Sequence, residues 1–256
     1  ALESATGICE PVSIAESMGL HNADGSELER VPSFTLGVAP VAPLDMANAF
    51  ATFAARGEYC PAFAVTKVFF ATASGEQREY LPEREKCRQV IDRNTADVVN
   101  AILEGVINGS DPSRTGAGLS IGRPSAGKTG TTNNSNATWF VGYTPHLAAA
   151  VWVGDPQGRR SLSDITIKGR YHAYVYGGTI AGPIWRSVMS AASRDLPATD
   201  FVYPSHIPSG GSGITGVMSL RTPTPRPTST RTATPSPSTS SPTPTPTSTS
   251  PTPDPT

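Results

Sequence analysis

Apolar residues recur at helical spacing in four stretches of the chain, and each stretch is bounded by residues typical of helix ends. The second stretch is rich in alanine, which predicts a buried helix with Pro43 in its first turn and Gly57 after its end. Asp92 is the expected N-cap of the third helix. The four predicted helices are residues 10–20, 43–56, 92–107 and 183–193.

β-Branched and aromatic residues are concentrated in other segments, which predict strands. The predicted extended segments are residues 62–81, 124–131, 138–144 and 147–154. Ser74-Gly75 is a predicted turn within the first, and Pro145-His146 joins the last two into a hairpin. An insertion with three tyrosines follows them, Tyr171, Tyr174 and Tyr176. The pattern predicts a mixed α/β fold in which an antiparallel sheet is flanked by helices.

The last 36 residues differ in composition from the rest of the chain. Residues 221–256 contain 11 Pro, 13 Thr and 7 Ser, and no aliphatic or aromatic side chain larger than that of Ala. Such a segment cannot bury enough surface to offset the entropy that is lost on ordering it. We therefore expect one folded domain over residues 1–203, a linker over 204–220 and a disordered, extended tail.

Charge and composition exclude several classes of protein. The 20 Lys and Arg residues balance 21 Asp and Glu residues, which argues against a strongly basic nucleic-acid-binding protein. No run approaches the roughly 18 apolar residues that a spanning helix needs, so no membrane segment is predicted in this chain. The three cysteines and four histidines show no CxxC or clustered spacing, so no metal site is predicted, and no cofactor is expected.

The amino-terminal residues and the three cysteines give information about processing and cellular compartment. The chain opens on Ala1-Leu2-Glu3, without an initiator Met or a signal peptide, so we expect it to be part of a longer protein. Cys60 and Cys87 lie on either side of one extended segment. In an extracytoplasmic protein the two either form a disulfide, which would contribute about 3 kcal/mol, or remain thiols. Cys9 is then either a buried thiol or paired with a residue outside this chain.

The candidate chemistry is concentrated in residues 127–133, GKTGTTN, at the end of one predicted strand. A lone Lys-Thr-Gly triplet is common and by itself indicates a structural turn. In a regular strand, Lys128 and Gly130 point to one face and Thr129 and Thr131 to the other. Gly130 leaves the backbone open, so a ligand's own backbone can lie along the strand as an added edge. A positive charge, hydroxyls and N–H groups together favour an anionic, peptide-like ligand.

Further motifs accompany this segment in a fixed order: 32–37 (PSFTLG), 43–54 (PLDMANAFATFA), 139–145 (WFVGYTP), 151–154 (VWVG), 177–178 (GG) and 181–185 (AGPIW). With them, residues 1–195 resemble the transpeptidase domain of class A penicillin-binding proteins. The placement of Cys60 and Cys87 and the Pro/Thr/Ser-rich tail are similar to those of actinobacterial members.

The resemblance implies a β-lactamase/transpeptidase-like fold in the cell envelope, on the outer face of the cytoplasmic membrane, in a parent protein anchored there. In this family a serine attacks the penultimate D-Ala of a peptidoglycan stem peptide, releases the terminal D-Ala and passes the acyl group to an amine on a neighbouring stem. β-Lactam antibiotics acylate the same serine. By resemblance, Lys128 belongs to the catalytic polar network, and Thr129, Gly130 and Thr131 bind the substrate. The Thr129 and Thr131 hydroxyls would hold the carboxylate, and the Thr131 N–H would form half of the oxyanion hole.

Members of this family carry three motifs: Ser-x-x-Lys with the nucleophilic serine, Ser-x-Asn, and Lys-Thr-Gly, which corresponds to Lys128–Gly130 here. The first two are not found in their expected form. Ser-x-Asn does not occur in the sequence, and Ser-x-x-Lys occurs only as Ser125–Lys128. We reject Ser125 as the nucleophile because the family motif opens a helix, where i and i+3 share a face, whereas this one falls on a predicted strand. The chain is therefore expected to be the carboxy-terminal part of a transpeptidase domain, incomplete at its amino end and inactive alone.

Two hypotheses remain. In the first, the parent protein is a D,D-transpeptidase and this chain is its substrate-binding half. In the second, the chain is a non-catalytic cell-envelope module with a wall-spanning stalk. In either case we expect the three strands around Lys128 to expose apolar faces and an unpaired edge, and the isolated chain to be marginally stable.

Overall fold

A computed structural model describes residues 6–158 and 160–206 of the chain. The predicted tail, and the predicted linker beyond residue 206, lie outside the described residues. The helices are α1 Cys9–Ser17, α2 Pro43–Ala54, α3 Arg93–Asn108 and α4 Ala181–Ala192. The strands are β1 Glu58–Tyr59, β2 Val68–Ala71, β3 Gln77–Tyr80, β4 Arg88–Gln89, β5 Ala126–Thr131, β6 Ala137–Tyr143, β7 Ala148–Gly154, β8 Ser163–Ile167 and β9 Arg170–Tyr174.

The predicted mixed α/β class is confirmed, and all four predicted helices form with ends within a few residues of those expected. Asp92 caps α3 as predicted, because its carboxylate accepts a hydrogen bond from the Thr95 N–H at 3.0 Å. Strands β5, β6 and β7 form one antiparallel sheet in that order.

One face of this sheet is built around Trp185 of α4. Gly127, Gly142 and Ala149 lie side by side on β5, β6 and β7, and the absence of a side chain at Gly142 leaves space for a large ring. The Trp185 indole is fully buried there, and its N–H donates to the Gly142 carbonyl at 2.9 Å. Phe140 packs against the indole with 5.0 Å between ring centroids. Helix α4 is therefore fixed to the sheet by both packing and a hydrogen bond.

The opposite face of the sheet is joined to α2 and α3 through Tyr143. Its ring packs edge-on against Phe50 at 6.0 Å and against Phe201 at 5.6 Å between centroids. The Tyr143 hydroxyl donates to Asn100 Oδ1 at 2.7 Å, and Asn100 Nδ2 donates to the Phe53 carbonyl at 2.9 Å. Both Tyr143 and Asn100 are buried, and these bonds satisfy polar groups that would otherwise destabilise the core.

A bidentate ion pair connects the end of α2 to α3. Arg56 Nε and Nη2 donate to the two carboxylate oxygens of Asp97 at 3.0 and 2.8 Å, and the Asp97 side chain is only 2% exposed. The next residue, Gly57, has φ 86° and packs directly against the Ile91 carbonyl, where a side chain would not fit. Glycine is therefore required at position 57, after α2, both because of the positive φ and because no side chain would fit there.

Several expectations from the sequence are wrong. Helix α2 is not buried as a whole: only Ala49 and Thr52 are buried, because one side of the helix packs against the sheet and α3. The tyrosine-containing insertion after β7 contains a further hairpin, β8–β9, which the sequence analysis did not predict. Strand β6 is buried along nearly all of its length, contrary to the expected exposure of the sheet faces, because helices lie on both sides of it.

The segment between Cys60 and Cys87 contains the β2–β3 hairpin, and Gly75 has the left-handed φ of 80° that its predicted turn requires. Every residue of both strands is exposed. A disulfide joins Cys60 to Cys87 at the base of this segment. Cys9 is an exposed thiol, so the expectation of a buried thiol is wrong.

Substituting Ala for Gly should have opposite effects at two positions. At Gly142 a Cβ would lie 2.6 Å from the Trp185 ring, so Gly142→Ala should lower the free energy of unfolding by about 1–3 kcal/mol through overpacking. At Gly105, inside α3 and exposed, nothing lies within 4 Å, and Gly105→Ala should raise it by about 0.5–1 kcal/mol. Urea denaturation of both variants measures the two changes; equal shifts would contradict the packing described for Trp185.

The stability of the domain should depend on pH through Glu104 of α3. Burial raises the pKa of this carboxyl, the Asn108 side chain opposes that change by hydrogen bonding, and the charge of Asp200 adds to it. Because the folded-state pKa exceeds the unfolded value, Glu104 stabilises the fold most at pH below the unfolded pKa, and this contribution is lost as pH rises through the folded pKa. Glu104→Gln should therefore gain stability relative to wild type between pH 4 and pH 7.

Urea midpoints at a series of pH values measure this difference. Glu83→Gln, which changes an exposed carboxylate, serves as the matched control and should run parallel to wild type across the same range. A constant difference between Glu104→Gln and wild type would contradict the assignment.

Candidate active-site edge

Strand β5 forms one edge of the three-stranded sheet in the described part of the chain. Its first two residues, Ala126 and Gly127, are buried, whereas Lys128 and Thr131 are exposed. Gly127 anchors the strand, since a Cβ there would lie 3.0 Å from the Phe140 ring and 3.2 Å from Ile107. The buried start of β5 holds its second half at the surface, where a ligand can reach it.

The register between β5 and β6 is continuous from Ala126 to Thr131. Without a bulge, Lys128 and Gly130 point to one face of the strand and Thr129 and Thr131 to the other, as expected from the sequence. A ligand along the outer edge of β5 can therefore contact side chains from both faces of the strand. In an antiparallel edge strand, alternate residues point their N–H and C=O groups away from the neighbouring strand.

The Lys128 ammonium group contacts the backbone of its own strand, β5. Its Nζ donates to the Thr129 carbonyl at 2.8 Å, which uses one of its three donors. Among the described residues, no carboxylate lies within ion-pair distance of Lys128. The positive charge is therefore available to an anionic group placed at this edge.

Thr131 is in contact with a loop that leads into α4. The Gly177 N–H donates to Thr131 Oγ1 at 3.3 Å, and Gly177 packs against the backbone of Gly130 and the carbonyl of Trp139. A Cβ on the following residue, Gly178, would lie 2.5 Å from the Thr115 carbonyl and 4.0 Å from Thr129 Cγ2. The loop therefore lies on the Thr129–Thr131 face, and the close approach of backbones requires the two glycines.

The contact from Gly177 is one that sequence reasoning missed. The Gly-Gly pair before α4 signals a close backbone approach, but the chain gives no sign that its partner is Thr131, which lies 46 residues earlier. With its oxygen accepting from Gly177, the Thr131 hydroxyl has its proton free to donate to a ligand.

A tight turn fixes the end of β5. Thr132 accepts a hydrogen bond at Oγ1 from the Ala137 N–H at 2.9 Å, and its own N–H donates to the Ala137 carbonyl at 3.0 Å. A short 3-10 helix, Asn133–Ser135, fills the turn. These bonds hold Thr131 in the sheet right up to the point where the strand stops.

Ser125 lies immediately before β5 and is fully buried. Its carbonyl accepts a hydrogen bond from Asn108 Nδ2 at 3.2 Å, and its Oγ has no partner among the described protein atoms. Lys128, by contrast, is exposed. A ligand at the outer edge of β5 does not reach this hydroxyl, which accords with its rejection as a nucleophile.

Within residues 6–158 and 160–206, no group of three or more His, Cys, Asp or Glu side chains is placed to hold a metal ion. None of the helices in this part of the chain is both long enough and apolar enough to span a bilayer.

Comparison with known families matches residues 14–190 to the penicillin binding protein transpeptidase domain. Penicillin-binding protein 1A of Mycolicibacterium smegmatis is 34% identical over 176 residues, which cover 67% of this chain and 21% of that protein. Its counterpart in Mycobacterium tuberculosis is 35% identical over 185 residues, 70% of this chain and 21% of that protein. The chain thus spans about a fifth of the length of these relatives.

Solved structures agree with this match. The penicillin-binding protein PonA1 of Mycobacterium tuberculosis superposes with a TM-score of 0.59 at 30% identity, over 75% of this chain and 52% of that one. The structure of PonA1 in complex with penicillin V superposes with a TM-score of 0.58 at 32% identity, over the same shares of both chains. Penicillin-binding protein 1A of Haemophilus influenzae has a TM-score of 0.60 at 20% identity, over 79% of this chain and 33% of that one, and shares the fold.

Proposed function

This chain belongs to the penicillin-binding protein transpeptidase family, and we propose that the outer edge of β5 seats the carboxylate end of a peptidoglycan stem peptide or of a β-lactam. The observation that carries the proposal is the second half of β5, where Lys128 and Thr131 are exposed and Thr129 and Gly130 are partly buried, between buried residues at its start and a hydrogen-bonded turn at its end. Penicillin V bound to the related PonA1 supports this class of ligand.

In this proposal each residue of the edge has a distinct role. The Lys128 ammonium contributes the positive charge of the catalytic polar network, and the hydroxyls of Thr129 and Thr131 donate to the ligand carboxylate. Gly130 keeps the strand open to the backbone of the ligand. The Thr131 N–H supplies one donor of the oxyanion hole, which stabilises the negative charge that develops on the attacked carbonyl oxygen.

The reaction is an acyl transfer through a serine ester. The serine oxygen bonds to the carbonyl carbon of the penultimate D-Ala, the peptide bond breaks, and the terminal D-Ala leaves with the proton on its nitrogen. An amine on a neighbouring stem then takes the acyl group and restores the serine hydroxyl. Such a reaction belongs outside the cytoplasmic membrane, where the Cys60–Cys87 disulfide also persists.

We assign the nucleophilic serine to a segment other than residues 1–256. Ser125 is buried beneath the start of β5, and Ser-x-Asn does not occur in the sequence. The chain would then be the carboxy-terminal part of a transpeptidase domain that contributes the substrate-binding edge. The same observations favour the second candidate function, a non-catalytic envelope module, if no catalytic segment joins it.

The 256-residue chain should not be labelled covalently by a fluorescent penicillin, because Ser125, the serine of its one Ser-x-x-Lys, is buried and Ser-x-Asn does not occur in its sequence. Denaturing gel electrophoresis after incubation measures the labelling, and PonA1 serves as the positive control. A labelled band that disappears in Ser125→Ala would show that Ser125 is the nucleophile after all.

Lys128→Ala should slow acylation in a polypeptide that joins this chain to a segment carrying Ser-x-x-Lys and Ser-x-Asn. The expected reduction is roughly 10²- to 10³-fold, the typical effect of removing one preorganised donor. Lys86→Ala removes an exposed lysine from the disulfide-bounded segment and should leave the rate unchanged. Equal rates in wild type and Lys128→Ala would contradict the site, and no acylation of the wild-type polypeptide would favour the envelope module.

A further inference from the structure

Thr138, on the middle strand of the three-stranded sheet, has a buried hydroxyl without a hydrogen-bond partner. The residue is 0% exposed, and its Oγ1 makes no hydrogen bond to any of the described protein atoms. A buried hydroxyl in this state typically destabilises a protein, and most such groups in native structures are paired. The position of Thr138 in the sheet identifies the acceptor that its hydroxyl can reach.

Thr138 lies opposite Thr131 of β5 and opposite Val153 of β7. Residues that face each other across antiparallel strands have their side chains on the same face. Val153 packs against the core cluster that contains Trp185, so all three side chains lie on the face against which α4 packs. Val153 has no polar side-chain atom. Thr131 is therefore the cross-strand neighbour whose side chain can accept a hydrogen bond from Thr138.

The two threonines form the kind of cross-strand pair in which side chains lie closest. The next pair, Thr132 with Ala137, is hydrogen-bonded, because the Thr132 N–H donates to the Ala137 carbonyl at 3.0 Å. Hydrogen-bonded and non-hydrogen-bonded pairs alternate along an antiparallel ladder, so Thr131 and Thr138 form a non-hydrogen-bonded pair, with Cα atoms about 4.5 Å apart. The same geometry points the Thr131 N–H away from β6 and toward the outer edge of β5.

Thr131 can accept a further hydrogen bond. A hydroxyl oxygen accepts two, and Thr131 Oγ1 accepts one, from the Gly177 N–H at 3.3 Å. Thr129, the other candidate ligand-binding threonine, lies opposite Phe140, whose ring has no hydroxyl or N–H to donate. The buried hydroxyl of Thr138 thus lies behind Thr131 and not behind Thr129.

We infer that Thr138 is a positioning residue that acts through Thr131: when a ligand carboxylate accepts the Thr131 hydroxyl proton, the Thr138 hydroxyl donates to Thr131 Oγ1. The inference rests on the proposed function, which places the carboxylate at Thr131. A hydroxyl that donates to a negative group becomes a better acceptor, so the two hydrogen bonds strengthen each other. Because the Thr138 hydroxyl gains its partner only in the bound state, its cost in the free protein favours binding.

Thr138→Val tests the inference, because it removes the hydroxyl and keeps the shape of the side chain. In an NMR titration of the ¹⁵N-labelled chain, the variant should bind penicillin V roughly 2- to 13-fold more weakly than wild type, the range for one hydrogen bond. In urea denaturation it should have a higher midpoint than wild type, since the unpaired buried group is gone. A residue with a purely structural role does not give a stability gain together with a loss of affinity.

Three further variants serve as controls. Thr138→Ser keeps the hydroxyl and should retain the affinity for penicillin V. Ser125→Ala removes another buried hydroxyl without a partner among the described protein atoms, and it should raise the urea midpoint without changing the affinity. In a Thr131→Val background, Thr138→Val should have no further effect on binding, because the acceptor is absent.

Unchanged affinity in Thr138→Val, no rescue by Thr138→Ser, or the same loss in the Thr131→Val background would overturn the inference. A lower urea midpoint together with weaker binding would also overturn it, since Thr138 would then support only the fold. Lys128→Ala tests the proposed function separately and should weaken the binding of penicillin V whatever Thr138 does. If penicillin V does not shift the amide signals of Thr131 and Gly177 in the wild-type chain, the inference and the proposed function both fail.

Discussion

The packing of Trp185 against the sheet is the interaction on which the arrangement of the described domain depends. A Cβ at Gly142 would lie 2.6 Å from the indole, the Phe140 ring lies 5.0 Å from it between centroids, and Ala149 of β7 packs against the same cluster. Removing a buried aromatic ring of this size typically lowers stability by about 3–5 kcal/mol. Because α4 also follows directly from the Gly177–Gly178 loop, the same packing that closes the core holds that loop against Thr131.

Local patterns in the sequence predicted most of the fold. Helix α3 was recognisable because Asp92 caps it and its apolar residues share one face, and the β6–β7 hairpin because Pro145-His146 leaves room only for a tight connection. Hairpin β8–β9 was missed although Ile165 and Ile167 alternate with polar residues, because tyrosines and a short turn resemble an irregular insertion. The partial burial of α2 depends on distant packing partners, which a local pattern does not contain.

Some features of the candidate site could likewise be predicted from the local sequence, whereas others depend on contacts between distant parts of the chain. The separation of Lys128 from Thr129 and Thr131 by face follows from strand geometry alone, whereas the position of β5 at the edge of the sheet is seen in the structure. The family motif supplied their proposed roles. The contact between Gly177 and Thr131 joins residues 46 positions apart, so only the structure reveals it.

The Cys60–Cys87 link has a consequence for proteolytic cleavage of the protein. Residues 61–86 include an exposed hairpin, which is an accessible target for proteases. A single cut there divides the backbone, but the covalent bond at the base keeps the two pieces attached. Helix α2 before the cut and strand β5 after it would remain tethered until the disulfide is reduced, so a nicked molecule in an oxidising compartment keeps the candidate edge strand joined to the rest of the domain.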